Sequence, residues 1–207
     1  MSESRDTIYT DPLQQAGLFR FDESVARVFP DMIKRSVPGY TTIVAMTGLL
    51  AQRYATPGSR LYDLGCSLGA STLAMRQNLR LEDCRLVGVD NSSAMLERCR
   101  SNIDTDIHDT PVDLVCADLQ DVSIEDASVV VLNFTLQFIP VAIRDRVIAD
   151  IYHGLRPGGI MVLSEKVTFE DPHLDTLNIE LHHEYKRANG YSEMEIAGKR
   201  AALEHVL

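Results

Sequence analysis

The sequence predicts an α/β fold in which a central parallel sheet is covered on both faces by helices. Residues up to about 57 carry apolar side chains at three- and four-residue spacing, which is typical of helices. From residue 59 the pattern changes to short apolar runs that have the length of buried strands. Helical segments separate these runs, and such regular alternation indicates a parallel sheet with helices on both sides.

Five apolar runs are predicted as strands, and three helical segments lie between them. The predicted strands are Arg60–Leu64, Cys84–Val89, Val112–Ala117, Ser128–Phe134 and Ile160–Ser164. The predicted intervening helices are Ser71–Leu79, Ser92–Ile103 and Val141–Leu155.

Further helices are predicted on both sides of this core. Asp22–Phe29, which Pro30 is expected to end, and Tyr40–Tyr54 precede the core. Asp171-Pro172 and the capping box of residues 192–195 begin two helices after it. We expect residues 1–57 to form a helical segment that packs on the core, and residues 58–207 to form a ligand-binding α/β domain with a helical extension. Because such domains commonly carry further strands, we expect the chain to be truncated before the last of them.

Composition and charge favour a small-molecule ligand. The chain has 207 residues, of which 45% are hydrophobic, and a formal net charge of −10. Such a surface repels polyphosphate, and because basic residues are scattered, no stable nucleic-acid binding is expected. No apolar stretch is long enough to cross a membrane, and the polar N-terminus has no secretory apolar region.

The cysteine and histidine patterns do not predict a metal site. The four cysteines, Cys66, Cys84, Cys99 and Cys116, form no CxxC pair, so reduced thiols in a cytoplasmic protein are expected. The run His182-His183-Glu184 has Arg187 where the HExxH zinc motif requires its second histidine, so we expect a solvated helix face.

The stretch LYDLGCSLGA, residues 61–70, has three interpretations. It fits a nucleophile elbow with Ser67 as the attacking group, a glycine-rich nucleotide-binding turn, or a strand-to-helix turn without a ligand. The first is disfavoured because the residues before Arg60 look helical, whereas a hydrolase takes part of its oxyanion hole from an earlier strand. Ser67 also occupies the position where the dinucleotide fingerprint requires glycine. The turn fits the looser D-x-G-x-S-x-G of S-adenosylmethionine binders, with Asp63 at the strand end.

Polar residues at the ends of successive strands support a nucleotide ligand. Asp90 ends the second strand and suits the two ribose hydroxyls, and Asn91 is expected to face the adenine. Asp118 follows the third strand, where the adenine edge would lie, and Asn133 interrupts the apolar fourth strand. Each of these residues could instead cap a helix or a turn.

The chemistry of the transferred group is less clearly encoded. Asn133-Phe134-Thr135-Leu136 lacks the prolines of the N/D-P-P-Y box of amino-methyltransferases, and no general base stands out. Arg200 interrupts the otherwise apolar helical stripe of Ile196, Leu203 and Leu207. A guanidinium there suits a carboxylate ligand, although it could equally reach solvent or pair with a glutamate.

Six blocks of the chain together resemble the bacterial carboxy-S-adenosyl-L-methionine synthases. They are VFPDMIKRSVPGY (28–40), YDLGCSLGAST (62–72), VDNSSAMLERCR (89–100), VVLNFTLQF (130–138), GGIMVLSEK (158–166) and YKRANGYSEMEI (185–196). The resemblance implies a Rossmann-like class I methyltransferase fold and a homodimer. It also implies that S-adenosyl-L-methionine and prephenate are converted to carboxy-S-adenosyl-L-methionine and phenylpyruvate. A partner enzyme would use the product to modify the tRNA wobble uridine.

The resemblance also implies which residues contact the ligand, without assigning a catalytic base. They are Tyr40, Gly65, Cys66, Ser67, Asp90, Asn91, Asp118, Leu119, Asn133 and Arg200. Arg200 would hold the carboxylate that distinguishes the product. Two alternatives stay open: an ordinary methyltransferase acting on a small molecule or tRNA, and a non-catalytic nucleotide-binding interaction module. An ordinary methyltransferase has no need of an anion-binding arginine beside the sulfonium methyl.

Overall fold

The structure of the protein is a computed structural model that describes residues 5–10 and 20–203. These residues form two compact units. The sheet unit spans residues 42–165, and the helical unit comprises the described parts of residues 1–41 and 166–207. The expected boundary at residue 57 therefore differs from the one observed, since most of the second helix belongs to the sheet unit.

The sheet unit is built on five parallel strands. In chain order they are β1 (Arg60–Leu64), β2 (Arg85–Asp90), β3 (Val112–Cys116), β4 (Ala127–Asn133) and β5 (Leu155–Ser164). Their order across the sheet is β3-β2-β1-β4-β5, and every neighbouring pair is parallel. The chain thus starts in the middle of the sheet, adds strands on one side and then adds strands on the other. Because all five strands are parallel, their carboxyl ends lie together along one edge of the sheet.

Helices cover both faces of this sheet, as predicted. They are α2 (Tyr40–Tyr54), α3 (Ala70–Asn78), α4 (Ser93–Asp104) and α5 (Val141–Gly154). On one face Tyr62 and Val130 pack in a cluster with Ile151 of α5, and on the other Leu61 and Val129 share a cluster with Met75 of α3. Adjacent strand residues thus point to opposite faces and both faces are buried, which explains the uninterrupted apolar runs.

The helical unit consists of α1 (Glu23–Ser36), α6 (Pro172–Ala188) and α7 (Glu193–Ala202). The predicted starts of α6 and α7 are confirmed, because Asp171 caps the backbone of His173 and Ser192 and Glu195 form a reciprocal capping box. A buried ion pair joins its parts: Lys199 Nζ lies 2.5 Å from Asp6 Oδ2 and donates to Tyr191 at 2.6 Å.

Two predicted boundaries were wrong. Helix α1 continues through Pro30 to Ser36, although proline removes one backbone N–H from the helix. Burial of one helix face, which includes Met32 and Arg35 beyond the proline, offsets that loss. Strand β5 begins at Leu155 rather than Ile160, and a register irregularity accommodates the Pro-Gly-Gly sequence there.

Candidate ligand site at the carboxyl edge of the sheet

The glycine turn after β1 is held against the end of β2. The N–H groups of Gly65 and Cys66 both donate to the carbonyl of Val89, at 2.8 and 2.9 Å. Gly65 has φ of +78°, and a Cβ added there would lie 2.3 Å from Oγ1 of Thr135. The turn therefore requires glycine at this position for both its backbone conformation and its packing.

Asp90 at the end of β2 organises the turn. One carboxylate oxygen accepts the N–H of Ser67 at 2.9 Å, and the other accepts the N–H of Ser92 at 2.9 Å. Burial raises the pKa of Asp90, and these two N–H groups act against that rise. Because a carboxylate offers about four acceptor positions, both oxygens can still accept a hydroxyl.

The predicted adenine-side residues meet at the ends of β2 and β3. The side chain of Asn91 donates to Asp118 at 2.8 Å, and both residues are exposed. Leu119, which follows Asp118 at the start of a short 3₁₀ turn, is half-buried. A polar amide–carboxylate pair beside an apolar side chain offers both hydrogen bonds and a packing surface to a planar base.

Asn133 at the end of β4 has an unpaired acceptor. Its amide nitrogen donates to Ser71 at 2.9 Å and to Thr47 at 3.3 Å. Its Oδ1 is buried and has no hydrogen-bond partner among the described residues. Buried polar atoms are rarely left unpaired, so this oxygen indicates a ligand that carries a donor.

Asp63, the last polar residue of β1, lies beneath the turn rather than in it. Its side chain is buried and accepts a 2.6 Å hydrogen bond from Thr72. Burial raises the pKa of Asp63 to about 6, the Thr72 hydrogen bonds lower it, and the charge of Asp90 adds to the rise. Asp63 therefore holds the start of α3 against β1 through Thr72, and its charge interacts with that of Asp90.

Glu165 at the end of β5 is a residue of this edge that the sequence analysis missed. Its Oε1 accepts the N–H of Leu136 at 2.6 Å, and its Oε2 is buried without a partner among the described residues. The signal was present, because Glu165 directly follows the fifth predicted strand as Asp90 ends the second.

Ser67 does not have the environment of a nucleophile. Its φ is +49°, but its hydroxyl donates to the sulfur of Met95 at 3.5 Å, and no described histidine hydrogen-bonds it. A serine nucleophile needs a base within hydrogen-bond reach.

Within the described ranges there is no group of three or more metal-ligating side chains.

Tyr40 and Arg200 belong to the helical unit, so their predicted ligand contacts stay predictions. The expected stripe on α7 was wrong: Arg200 is exposed, and the cation on the buried face is Lys199. Leu207 lies outside the described residues. An α-helix turns about 100° per residue, so Arg200 stands well away from the face that Glu195 and Lys199 define. Arg200 forms no hydrogen bond or ion pair with the residues that the structure describes.

The histidines of α6 also differ from the expectation of a solvated face. His182 is half-buried, and its Nε2 lies 2.8 Å from the carbonyl oxygen of Ser36. Burial lowers the pKa of His182 and of His183, and nearby cations add to that effect.

In the described part of the chain, no helix is both long and apolar enough to span a membrane.

Comparison with known proteins identifies relatives over nearly the whole chain. Residues 61–159 match a family model described as a methyltransferase domain. The carboxy-S-adenosyl-L-methionine synthase of Aliivibrio fischeri strain MJ11 is 58% identical over 98% of this chain and 84% of its own. That of Yersinia enterocolitica is 55% identical over 98% of this chain and 76% of its own.

Solved structures share the fold at low sequence identity. An S-adenosyl-L-methionine-dependent methyltransferase of Methanococcus maripaludis has a TM-score of 0.56 and 22% identity, covering 91% of this chain and 85% of its own. The parallel sheet and its flanking helices thus form a class I methyltransferase fold, as predicted.

Proposed function

The chain belongs to the carboxy-S-adenosyl-L-methionine synthase family, and from that premise we propose that it transfers a carboxyl group to S-adenosyl-L-methionine. The donor is prephenate, and the products are carboxy-S-adenosyl-L-methionine and phenylpyruvate. The observation that carries this proposal is the identity of 58% over 98% of the chain to a synthase of that name. S-adenosyl-L-methionine is here a substrate, because it leaves as the carboxylated product.

The strand ends of the sheet unit support the binding of this substrate. Asp90 offers acceptors for the two ribose hydroxyls, and Asn91 with Asp118 and Leu119 lies beside it for the adenine. The turn of Gly65, Cys66 and Ser67 cradles the methionine portion. The buried Oδ1 of Asn133 needs a donor, and the α-ammonium group of the substrate supplies one.

For Tyr40 and Arg200 we propose contacts with the same substrate and product. Arg200 binds the carboxylate that distinguishes the product, since a guanidinium matches a carboxylate with two parallel hydrogen bonds. Its exposure and its lack of a partner among the described residues leave it available for that role.

The chemistry follows from the sulfonium. Removal of a proton from the methyl group gives a carbanion that the positive sulfur stabilises, and this carbon then bonds to the carboxyl carbon that prephenate releases. Binding the two substrates side by side in a site poor in water contributes proximity, which is worth several kcal/mol.

We further propose that the enzyme acts in the cytoplasm as a homodimer. Its product would serve a second enzyme that modifies the wobble uridine of tRNA. This chain need not hold tRNA itself, which agrees with its net charge of −10.

The test is to incubate the purified protein with S-adenosyl-L-methionine and prephenate and to follow the nucleosides by mass spectrometry. We expect a sulfonium nucleoside that is heavier by one carboxyl group, formed together with phenylpyruvate. S-adenosylhomocysteine with a methylated acceptor would favour an ordinary methyltransferase instead. Binding without any product would favour a non-catalytic module.

A further inference from the structure

The carboxylate of Glu165 lies at the carboxyl edge of the sheet, and one of its oxygens has no hydrogen-bond partner among the described residues. Asn133, the last residue of β4, is in register with Ser164, so Glu165 immediately follows the neighbouring strand end. The N–H of Phe134 donates to the carbonyl of Ser164 at 2.7 Å, which fixes the two strand ends to each other. Oε1 of Glu165 accepts the N–H of Leu136, whereas the buried Oε2 has no partner in the described ranges. An unpaired buried carboxylate oxygen indicates a proton or donor that comes from a bound molecule.

The strand order, combined with the proposed binding mode, puts Glu165 on the reactive side of the substrate. In the proposed binding mode, with the ribose at Asp90 at the end of β2 and the methionine portion at the glycine turn after β1, the strand order puts the adenine towards β3 and the sulfonium towards β4. The next strand beyond β4 is β5, which ends at Ser164. Glu165 therefore lies on the side of the transferred group, whereas Asp90 lies on the side of the ribose.

Among the acids at these strand ends, only Glu165 has a buried carboxylate oxygen without a partner in the described residues. Asp63 is buried beneath the turn and bonded to Thr72, and both oxygens of Asp90 accept backbone N–H groups. Burial raises the pKa of Glu165, while backbone N–H groups of Leu136 and its neighbours and the charge of Arg144 lower it. Burial also raises the pKa of Asp63 and Asp90, so Glu165 is distinguished from them by its unpaired oxygen and its place beside β4 rather than by its pKa.

We propose that Glu165 takes the proton from the sulfonium methyl group and passes it to the hydroxyl that leaves prephenate. This inference rests on the proposed function and names the base that the reaction needs. A methyl C–H bond breaks, its electron pair stays on carbon, and the proton goes to Oε2 of Glu165. The bond between the prephenate ring and its carboxyl group breaks, and that electron pair makes the ring aromatic as hydroxide leaves.

The remaining steps return Glu165 to its starting state. The hydroxide takes the proton from Glu165 and leaves as water. The methyl carbon uses its electron pair to bond to the released carbon dioxide. One S-adenosyl-L-methionine and one prephenate thus give one carboxylated product, one phenylpyruvate and one water, and no oxidant or reductant is required.

The test compares Glu165→Gln with wild type at saturating substrates. The glutamine keeps the volume and an acceptor for the N–H of Leu136 but cannot act as the base. We expect kcat to fall by at least about 100-fold, the lower range for general base catalysis. The KM for S-adenosyl-L-methionine is expected to stay within a factor of about three. Glu125→Gln is the matched control, because Glu125 is an exposed residue just before β4, at the opposite end of the sheet, and it is expected to keep wild-type kcat.

A second variant separates a chemical role from a structural one. Glu165→Asp keeps the charge but withdraws it by one methylene, so proton removal should become slower and more rate-limiting. We expect the rate ratio between S-adenosyl-L-methionine with CH₃ and with CD₃ to be larger in this variant than in wild type. It also serves as the test if Glu165→Gln does not fold.

Three results would overturn the inference. They are a kcat of folded Glu165→Gln within about threefold of wild type, an effect confined to KM, and an unchanged isotope ratio in Glu165→Asp. If wild type itself forms no carboxylated product, the proposed function fails, and that outcome is distinct from a failure of Glu165 alone.

Discussion

The requirement for glycine at position 65 can be tested with a substitution whose cost has two separable parts. In Gly65→Ala the new Cβ meets Oγ1 of Thr135 at 2.3 Å and Cγ2 at 2.4 Å, with φ at +78°. The backbone part costs about 1–2 kcal/mol for a non-glycine residue in this region. The steric part costs about 1–3 kcal/mol, as in overpacked cores.

Gly58→Ala isolates the backbone part. Gly58 has φ of +68°, and an added Cβ would meet nothing within 4 Å. We expect Gly58→Ala to lower the free energy of unfolding by about 1–2 kcal/mol and Gly65→Ala to lower it by about 2–5 kcal/mol, with urea denaturation as the assay. Affinity for S-adenosyl-L-methionine should fall in Gly65→Ala but not in Gly58→Ala, because only the Cβ at position 65 displaces the loop after β4.

A third variant tests the named contact. Thr135→Ala removes the two closest atoms, so in the Gly65→Ala background it should restore part of the lost stability. The reasoning is refuted if Gly65→Ala is no more destabilising than Gly58→Ala, or if Thr135→Ala restores nothing.

Three further predictions concern buried charge and the proposed product contact. Burial raises the pKa of Asp63 to about 6 from 3.8, so the folded state holds this proton more tightly and wild-type stability falls as the pH rises between these values. Asp63→Asn lacks that fall, so its free energy of unfolding should gain up to about 3 kcal/mol relative to wild type by pH 7, measured by urea denaturation at several pH values. A constant difference across that range would contradict the expected titration. Lys199→Met leaves Asp6 buried without its cation and should cost about 3–5 kcal/mol, whereas Arg85→Met at a half-exposed pair should cost less than about 1 kcal/mol. Equal losses in the two variants would show that burial does not set the cost. Arg200→Ala should weaken binding of carboxy-S-adenosyl-L-methionine by about 10-fold or more in calorimetry, with a smaller effect on S-adenosyl-L-methionine. Equal weakening of both ligands would argue against a carboxylate contact.

The strands of the sheet unit could be predicted because short stretches of neighbouring residues determine them. Strands buried on both faces appear as apolar runs, and the polar residues at their ends follow them directly, so the positions of Asp90, Asp118 and Asn133 at strand ends were predicted from the sequence. Their contacts with a ligand stay predictions. Glu165 follows the same rule, and it was missed because the polar residue after β5 was not considered.

The helical unit was harder to predict because its contacts are distant in sequence. Lys199 is buried only because Asp6 and Tyr191 meet it, and no local pattern shows that pairing. A ten-residue helix has too few apolar residues to show from sequence which face is buried, so Arg200 was predicted on the wrong face. Pro30 was read from its backbone preference alone, whereas tertiary packing decides the length of α1.

Isotope-labelled substrates test the central claim most directly. The enzyme is given S-adenosyl-L-methionine with a CD₃ group and prephenate with ¹³C in its ring carboxyl group, and the product is analysed by mass spectrometry. Carboxyl transfer predicts a nucleoside that carries the ¹³C label and keeps two of the three deuterium atoms. Transfer of the intact CD₃ group to another molecule, or release of all the ¹³C as carbon dioxide, would contradict it.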